Sequence, residues 1–176
     1  MDVHQAIRTR RSVRKYDPRP IPDNVMGRLH DALRLAPSAC NFQPWRFVLV
    51  RDAAQRRAIA QAACGQTWMA DAPLIVVGCG RPAAAYKKMG GAGNSADVDV
   101  AIALDHLTLA AAAEGLGTCW IGAFEQARVK DLLGIPADAT VVAMTPVGYP
   151  AEPDAIHPID PARRKGPDEV FSTDRY

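Results

Sequence analysis

The sequence predicts one globular domain that mixes α-helices with β-strands. Its 176 residues are the size of a single domain and suffice to bury a core. Three short apolar runs, at residues 47–50, 74–77 and 141–144, are typical of buried strands. Other segments carry apolar residues at helical spacing. We therefore expect a single domain over residues 1–176, with helices between its strands.

Composition and charge are those of an ordinary soluble protein. Hydrophobic residues make up 48% of the chain, charged residues 23%, and the net charge is +2. This balance argues against general nucleic-acid binding, which requires a basic face across a whole domain. No apolar run has the length of a membrane span, and the N-terminus lacks the apolar region of a signal peptide. We expect a cytoplasmic protein that contacts neither nucleic acid nor membrane.

The cysteines and histidines do not predict a metal site. The four cysteines contain no CxxC pair, and the four histidines lie far apart in the sequence. In a reducing compartment the cysteines are expected to be free thiols.

The N-terminal part predicts two helices joined by a stiff connector. Asp2 is suited to cap a first helix, whose C-terminal end leads into a basic segment at residues 8–15. Residues 17–20, Asp-Pro-Arg-Pro, are expected to be extended. Pro22 suits the first turn of the second helix, which must stop before Pro37.

The middle of the chain predicts a loop, two strands and a helix. Residues 37–45 form a polar loop with two aromatic residues, and a strand follows at 46–51. After a helix around Ile59 comes the next strand, at 73–79, whose continuous apolar run predicts burial on both faces. The glycine-rich loop at 90–95 lacks the preceding strand that a phosphate-binding loop requires.

A long apolar helix and three further elements complete the predicted core. The helix begins at Ser95 or Asp97, continues to about Glu114, and ends at Gly115. It is apolar almost all round, which places it in a core or an interface. A short strand at 118–122, a helix at 126–133 and a last strand at 140–147 follow.

The proline-rich tail from Ala151 onward carries apolar residues without an amphipathic period. Such a tail does not bury itself, and we expect it to lie on another surface, such as that of a partner subunit.

The segment Arg8–Lys15 holds five cations and two hydroxyls in eight residues. Like charges at this density repel one another unless an anion lies among them. A phosphate group meets that need. From the segment alone, a solvated basic arm or a nucleic-acid patch is the more common explanation.

Four short stretches have an order and spacing that point to one family. They are Arg-Arg-Ser-Val-Arg at 10–14, Pro-Ser-Ala-Cys-Asn-Phe-Gln-Pro-Trp at 37–45, Gly-Leu-Gly-Thr-Cys-Trp-Ile-Gly at 115–122, and Arg-Arg-Lys at 163–165 before Asp-Glu-Val. Together they resemble the nitroreductase family of FMN-dependent oxidoreductases, over essentially the whole chain. The resemblance implies an α+β fold with a central, mostly antiparallel sheet flanked by helices. It also implies a homodimer with FMN at the subunit interface and a C-terminal tail that embraces the partner.

The resemblance implies that an arginine cluster binds the FMN phosphate. Arg10 would pair with the phosphate, with Ser12 beside it, because a planar guanidinium binds two oxygens at once. Arg164 would close on the phosphate from the tail, assisted by Arg163 or Lys165. Arg14 would lie near the N1/O2 edge of the ring, where a cation stabilises the reduced flavin.

The resemblance implies two further contributions to the cofactor site. The loop residues Pro37, Ser38, Ala39 and Asn41 match those that the second subunit places against the flavin ring. Ala39 stands where relatives often have serine, so a backbone contact is expected there. Arg11 belongs to the same implied set of cofactor residues, although its own context, like that of Lys15, predicts solvent exposure.

Gly122 is the implied catalytic position, because its backbone N–H would point at flavin N5, where hydride enters. Ile121 and Ala123 would flank it. Gln66 falls near a position that reaches the pyrimidine edge. The alternative for Gly122 is that it only ends a strand.

The implied activity is ping-pong reduction of nitroaromatic, quinone or similar acceptors by NADH or NADPH. The histidines are scattered, which agrees with a mechanism that needs no general base. Two alternatives from other classes remain: a flavin-binding sensor or reservoir without turnover, and a binding module with a basic arm and no flavin.

Overall fold

An antiparallel sheet with helices on both faces forms the core of the protein, seen in a computed structural model that describes residues 1–91, 93–152 and 154–176. The strands are β1 (Tyr16–Asp17), β2 (Trp45–Val50), β3 (Leu74–Gly80), β4 (Gly117–Thr118) and β5 (Thr140–Pro150). The helices are α1 (Val3–Thr9), α2 (Asp23–Arg34), α3 (Ala53–Ala62), α4 (Ala96–Ala113), α5 (Gln126–Leu133) and α6 (Pro167–Val170). This architecture confirms the expected α+β fold.

The sheet has the strand order β1-β5-β3-β2, and the short strand β4 also pairs with β5. Every pairing between these strands is antiparallel. The central strand β3 is buried along its whole length, as its apolar run predicted. Gly78 lies where α4 crosses the sheet, and a Cβ there would come within 2.8 Å of Leu104 Cδ1.

Two hydrophobic clusters cover the two faces of the sheet. On one face, α2 and α4 pack over Leu74 and Val76. On the other face, α3 and α5 pack over Ile75 and Val77. Successive residues of β3 thus serve opposite clusters, as the alternation of side chains along a strand requires.

Helix α4 begins and ends close to its predicted limits. Ser95 is its N-cap residue, and Gly115, just beyond its C-terminal end, has a positive φ of 73°. Nine of its residues are buried, one of which is the charged Asp99. Neither α4 nor any other helix in the described residues is long and apolar enough to cross a membrane.

Two strands differ from their predicted limits by more than one residue, and the short strand β1 was not predicted. The strand expected at 118–122 was wrong in its extent, because the N–H of Cys119 donates to Thr145 Oγ1 instead of a strand carbonyl. Pairing therefore stops at Thr118 and returns only as a bridge between Ile121 and Met144. The last strand continues to Pro150, where it pairs with β1, at the start of the segment predicted to be only a connector.

The tail was expected not to pack on its own chain. This expectation was wrong for the first part of the tail, up to about Ile159, which contacts the N-terminal segment. The N–H of Ile159 donates to Arg8 O, and Ala155 packs against the cluster that contains Val13. The last ten residues are exposed; Phe171 is 76% exposed. Residue 92 of the predicted glycine-rich loop and residue 153 of the tail lie outside the described residues.

Candidate functional site

The basic segment is fixed against β4 by its single apolar residue, Val13. The N–H of Val13 donates to Thr118 O at 2.9 Å, and its side chain is buried. Gly117 makes this approach possible, since a Cβ at that position would lie 2.5 Å from Val13 Cγ2. The carbonyl of Val13 accepts a hydrogen bond from the buried Tyr16 hydroxyl at 2.8 Å. The polar neighbours Ser12 and Arg14 are exposed, on either side of this anchor.

The anchored segment and the tail together enclose a cavity of about 380 Å³, here named the arginine cavity. Five guanidinium groups contribute to its walls. Its lining residues are Arg10, Arg11, Ser12, Arg14, His157, Ile159, Asp160, Arg163 and Arg164.

The tail reaches the arginine cavity through backbone hydrogen bonds. The bond from Ile159 N to Arg8 O, 3.1 Å long, brings it to the end of α1. Asp160 then starts a short 3₁₀ turn by accepting from Ala162 N at 3.0 Å. This turn places Arg163 and Arg164 at the cavity, so cations from both ends of the chain meet there.

The cavity concentrates positive charge. Arg11 donates from Nη2 to Arg8 O at 2.7 Å and from Nη1 to Arg10 O. Burial lowers the pKa of Arg11, and the charges of Arg10 and Arg164 lower it further. Arg11 is half-buried, so its expected solvent exposure was wrong, whereas Lys15 is exposed as expected and pairs with Glu152 at 2.7 Å. An anion in the cavity would relieve this repulsion.

A second group of the implied residues begins three residues beyond β4, at 121–123. Ile121 is buried and exchanges two backbone hydrogen bonds with Met144, of 2.8 and 3.0 Å. Gly122 is exposed, and among the described residues a Cβ there would meet only Trp120 Nε1, at 3.9 Å. Within the described residues, the N–H of Gly122 makes no hydrogen bond. This N–H is therefore free to bind a ligand.

Gln66 joins this second group through its side-chain amide. Its Nε2 donates to Ala63 O at 3.0 Å and approaches Ala123 O at 3.5 Å. The amide thus ties the end of α3 to the turn that contains Gly122.

The third group of implied residues lies in the segment 37–43, here named the strained loop. Three of its non-glycine residues have left-handed backbone conformations: φ is 51° at Cys40, 56° at Asn41 and 51° at Gln43. Such conformations cost about 1–2 kcal/mol each. Internal hydrogen bonds offset part of this cost, including Gln43 N to Ser38 Oγ at 2.9 Å. Gln43 Nε2 also donates to Asn41 Oδ1 at 3.2 Å.

The structure places the first two groups next to β4 and leaves the third outside the arginine cavity. The predicted residues of the arginine cavity do share one cavity, and β4 connects them to the group around Gly122. Residues 37–41, in contrast, do not contribute to the arginine cavity in the described chain. A hydrogen bond from Ala39 N to Asp99 Oδ1, of 3.0 Å, joins them to α4.

Sequence reasoning missed four residues around these groups. His157, Ile159 and Asp160 line the arginine cavity, and Asp99 holds the strained loop. Asp160 directly precedes Pro161, which is a helix-start signal and offered a clue. The described residues contain no cluster of side chains suited to hold a metal ion.

Comparison with known proteins gives one consistent family. The family model described as Nitroreductase family matches residues 7–149. An NADH dehydrogenase of Thermus thermophilus is 34% identical over 86% of this chain and 88% of its own length. A 5,6-dimethylbenzimidazole synthase of Rhodospirillum rubrum is 32% identical over 89% of this chain and 84% of its own. An FMN reductase [NAD(P)H] of Bacillus subtilis is 27% identical over 97% of this chain and 74% of its own.

A solved structure shares the architecture. The nitroreductase family protein from Clostridium novyi NT aligns with a TM-score of 0.80 and 30% identity, over 86% of this chain and 87% of that one.

Proposed function

We propose, since the chain belongs to the nitroreductase family, that it is an FMN-dependent oxidoreductase that uses NADH or NADPH to reduce small-molecule acceptors. The observation that carries the proposal is the arginine cavity, in which guanidinium groups from residues 10–14 and 163–164 converge.

The chemistry of the cavity suits the phosphate of FMN. A phosphate monoester carries about −1.5 to −2 charges near neutral pH, and a guanidinium can bind two of its oxygens. Arg10 and Arg164 would bind the phosphate from opposite ends of the chain. The side chain of Ser12 would supply a hydroxyl, and Arg14 would stay near the edge of the ring. Arg11 and Arg163 would add to the positive potential around it.

The group around Gly122 would serve the flavin ring. Its free N–H would donate to the ring nitrogen at which hydride enters, and the bond between Ile121 and Met144 would fix the direction of that donor. Gln66 and Ala123 would border the pyrimidine edge. FMN, when bound, would accept a hydride from NAD(P)H and return electrons to an acceptor. A ping-pong order follows if nicotinamide and acceptor use the same face in turn.

The strained loop would complete the site from a second subunit. Its implied flavin-contacting residues Pro37, Ser38, Ala39 and Asn41 do not line the arginine cavity of their own chain. An obligate homodimer would bring this loop to the partner's flavin. The exposed end of the tail, with Val170 and Phe171, would gain burial by embracing the partner.

The same site admits two other outcomes. The similarity to 5,6-dimethylbenzimidazole synthase favours a test for that product as a second candidate activity. A sensor or reservoir would bind FMN without turnover.

The test is titration of the flavin-free protein with FMN, followed by steady-state kinetics with NADH or NADPH and menadione. We expect tight FMN binding, oxidation of at least one nucleotide, and parallel double-reciprocal plots. Binding without reduction would favour a sensor, and formation of 5,6-dimethylbenzimidazole would favour the synthase. Failure to bind FMN would contradict the proposal.

A further inference from the structure

We propose that Asp99 of α4 is a positioning residue that sets the conformation of the strained loop and, through it, the contact of that loop with the flavin. The second half of this inference rests on the proposed function. The first half concerns the protein alone and is tested without flavin.

The carboxylate of Asp99 is buried and uses both of its oxygens. Asp99 is 2% exposed and Ser95 is 1% exposed. Oδ1 accepts from Ala39 N at 3.0 Å, and Oδ2 accepts from Ser95 Oγ at 2.7 Å. Hydrogen bonds to a charged acceptor are stronger than those between neutral groups. The carboxylate therefore joins the loop firmly to the first turn of α4.

Capping of α4 does not explain this carboxylate. The N–H of Ala96, the first residue of the helix, donates to Asn94 Oδ1 at 3.0 Å. The N–H of Asp99 itself donates to Ser95 O at 2.8 Å within the helix. Both carboxylate oxygens are thus directed at groups outside the helical backbone, one of which belongs to the loop.

Asp99 forms no salt bridge in the described part of the chain. Burial of a carboxylate without a paired cation is costly unless its hydrogen bonds and local dipoles stabilise it. Asp99 lies in the first turn of α4, near the positive end of the helix dipole. The two hydrogen bonds and the helix dipole together supply the stabilisation that this buried carboxylate needs.

The loop needs an external anchor at this point. Ala39 directly precedes Cys40 and Asn41, both in left-handed conformations. Uncommon backbone conformations persist only where the surroundings determine them. The bond to Asp99 fixes the loop just before the strain begins, and the bond from Gln43 N to Ser38 Oγ closes it afterwards.

The experiment compares Asp99→Asn with Asp97→Asn, an exposed carboxylate in the first turn of the same helix. Hydrogen–deuterium exchange is measured for peptides that span residues 37–43 in the flavin-free protein. We expect the Asp99 variant to exchange about tenfold faster in this segment, because the acceptor for Ala39 N changes from a charged carboxylate to a neutral amide oxygen, which binds more weakly. The Asp97 variant should exchange as the wild type does. Equal exchange in all three proteins would overturn the inference.

A second readout follows the flavin. In FMN-loaded protein we expect Asp99→Asn to change the visible circular dichroism of the bound flavin and to lower kcat, with the dimer retained. An unchanged flavin spectrum and unchanged kcat, alongside faster loop exchange, would overturn the flavin half. If even the wild-type protein binds no FMN, the proposed function fails while the exchange result still decides the first half.

If Asp99→Asn does not fold, Ser95→Ala replaces it. This variant removes the hydroxyl that orients Oδ2 and leaves the bond to Ala39 N in place. We expect a smaller increase in loop exchange, about threefold, on the same physical ground. Exchange equal to that of wild type would overturn the inference in this case too.

Discussion

The arginine cavity and the strained loop differ in how the chain builds them. The cavity joins segments at opposite ends of the sequence, and Val13 packed against Gly117 anchors one of them. The strained loop is contiguous, and its shape depends on hydrogen bonds and one buried carboxylate. In the arginine cavity like charges repel one another, and an anionic ligand would lower that repulsion. In the strained loop three residues are held in unfavourable backbone conformations, and the hydrogen bond to Asp99 helps to hold them there.

This difference shows two ways to prepare a site before its ligand arrives. Repulsion among fixed cations favours any anion that enters. Backbone strain instead fixes the direction of polar groups and so favours one geometry. We propose that FMN uses both, with its phosphate in the cavity and its ring against the loop.

The largest expected effect is on the cavity. Arg10→Ala should weaken FMN binding by about 1.5–3 kcal/mol, the range for a hydrogen bond to a charged group. FMN titration measures this effect. Lys15→Ala is the control, because Lys15 lies in the same segment but is exposed and pairs with Glu152. Equal losses in both variants would indicate general electrostatics rather than a specific contact.

A glycine substitution tests the anchor of the cavity. In Gly117→Ala the new Cβ would lie 2.5 Å from Val13 Cγ2. We expect a loss of about 1–3 kcal/mol in the free energy of unfolding, as overpacking usually costs, together with weaker FMN binding.

The control for this substitution is Gly27→Ala, because a Cβ at Gly27 in α2 meets no atom of the described residues within 4 Å. It should raise stability by about 0.5–1 kcal/mol, as alanine favours a helix interior. Denaturant unfolding measures both. A Gly117→Ala protein as stable as the wild type would show that Val13 is not tightly held.

The strained loop should respond in the opposite direction to a glycine. Cys40→Gly removes the steric cost of a φ of 51° and should raise stability by up to about 1 kcal/mol. The neighbouring Ala39→Gly lacks that benefit and should lower stability by about 0.5–1 kcal/mol. Denaturant unfolding of both variants measures whether the free energy of unfolding rises or falls. A loss of stability in Cys40→Gly would contradict the assignment of strain to this residue.

The two regions should also differ in thiol reactivity. Cys40 in the loop and Cys64 are exposed, whereas Cys119, which follows β4, and Cys79 are buried. Burial raises the pKa of Cys79 to about 11, so little of it is thiolate near neutral pH. We expect two fast thiols with a disulfide reagent in the native protein and four after unfolding. Rapid reaction of all four thiols in native protein would contradict the packing around β4.

The sequence predicted the cavity better than it predicted the loop. The basic residues at 10–14 and 163–164 can be recognised in the sequence by their charge, and the resemblance to the family assigned them to one ligand. The conformation of Cys40, Asn41 and Gln43 was not predictable, because non-glycine residues rarely adopt positive φ. The role of Asp99 was hidden for a related reason: an acidic residue near a helix start usually has only a capping role.

The fold, too, has features that the sequence predicts and features that it does not. Apolar runs predicted β2, β3 and β5, because burial leaves a direct mark on composition. The early end of β4 was missed because it depends on one hydroxyl, Thr145 Oγ1, which accepts the N–H of Cys119. The packing of Ile159 beside Arg8 was missed because a single backbone hydrogen bond leaves no pattern in the sequence.

The central claim is that one flavin site combines the arginine cavity of one protomer with the strained loop of the other. Co-expression of Arg10→Ala and Asn41→Ala chains with different tags tests it, once each variant alone has proved inactive. If the sites are shared, one site of a mixed dimer combines the Arg10→Ala cavity with the Asn41→Ala loop. The other site then combines a wild-type cavity with a wild-type loop. Random pairing then restores about one quarter of wild-type NAD(P)H oxidation. No recovery in purified mixed dimers would show that each site belongs to a single chain and would contradict the claim.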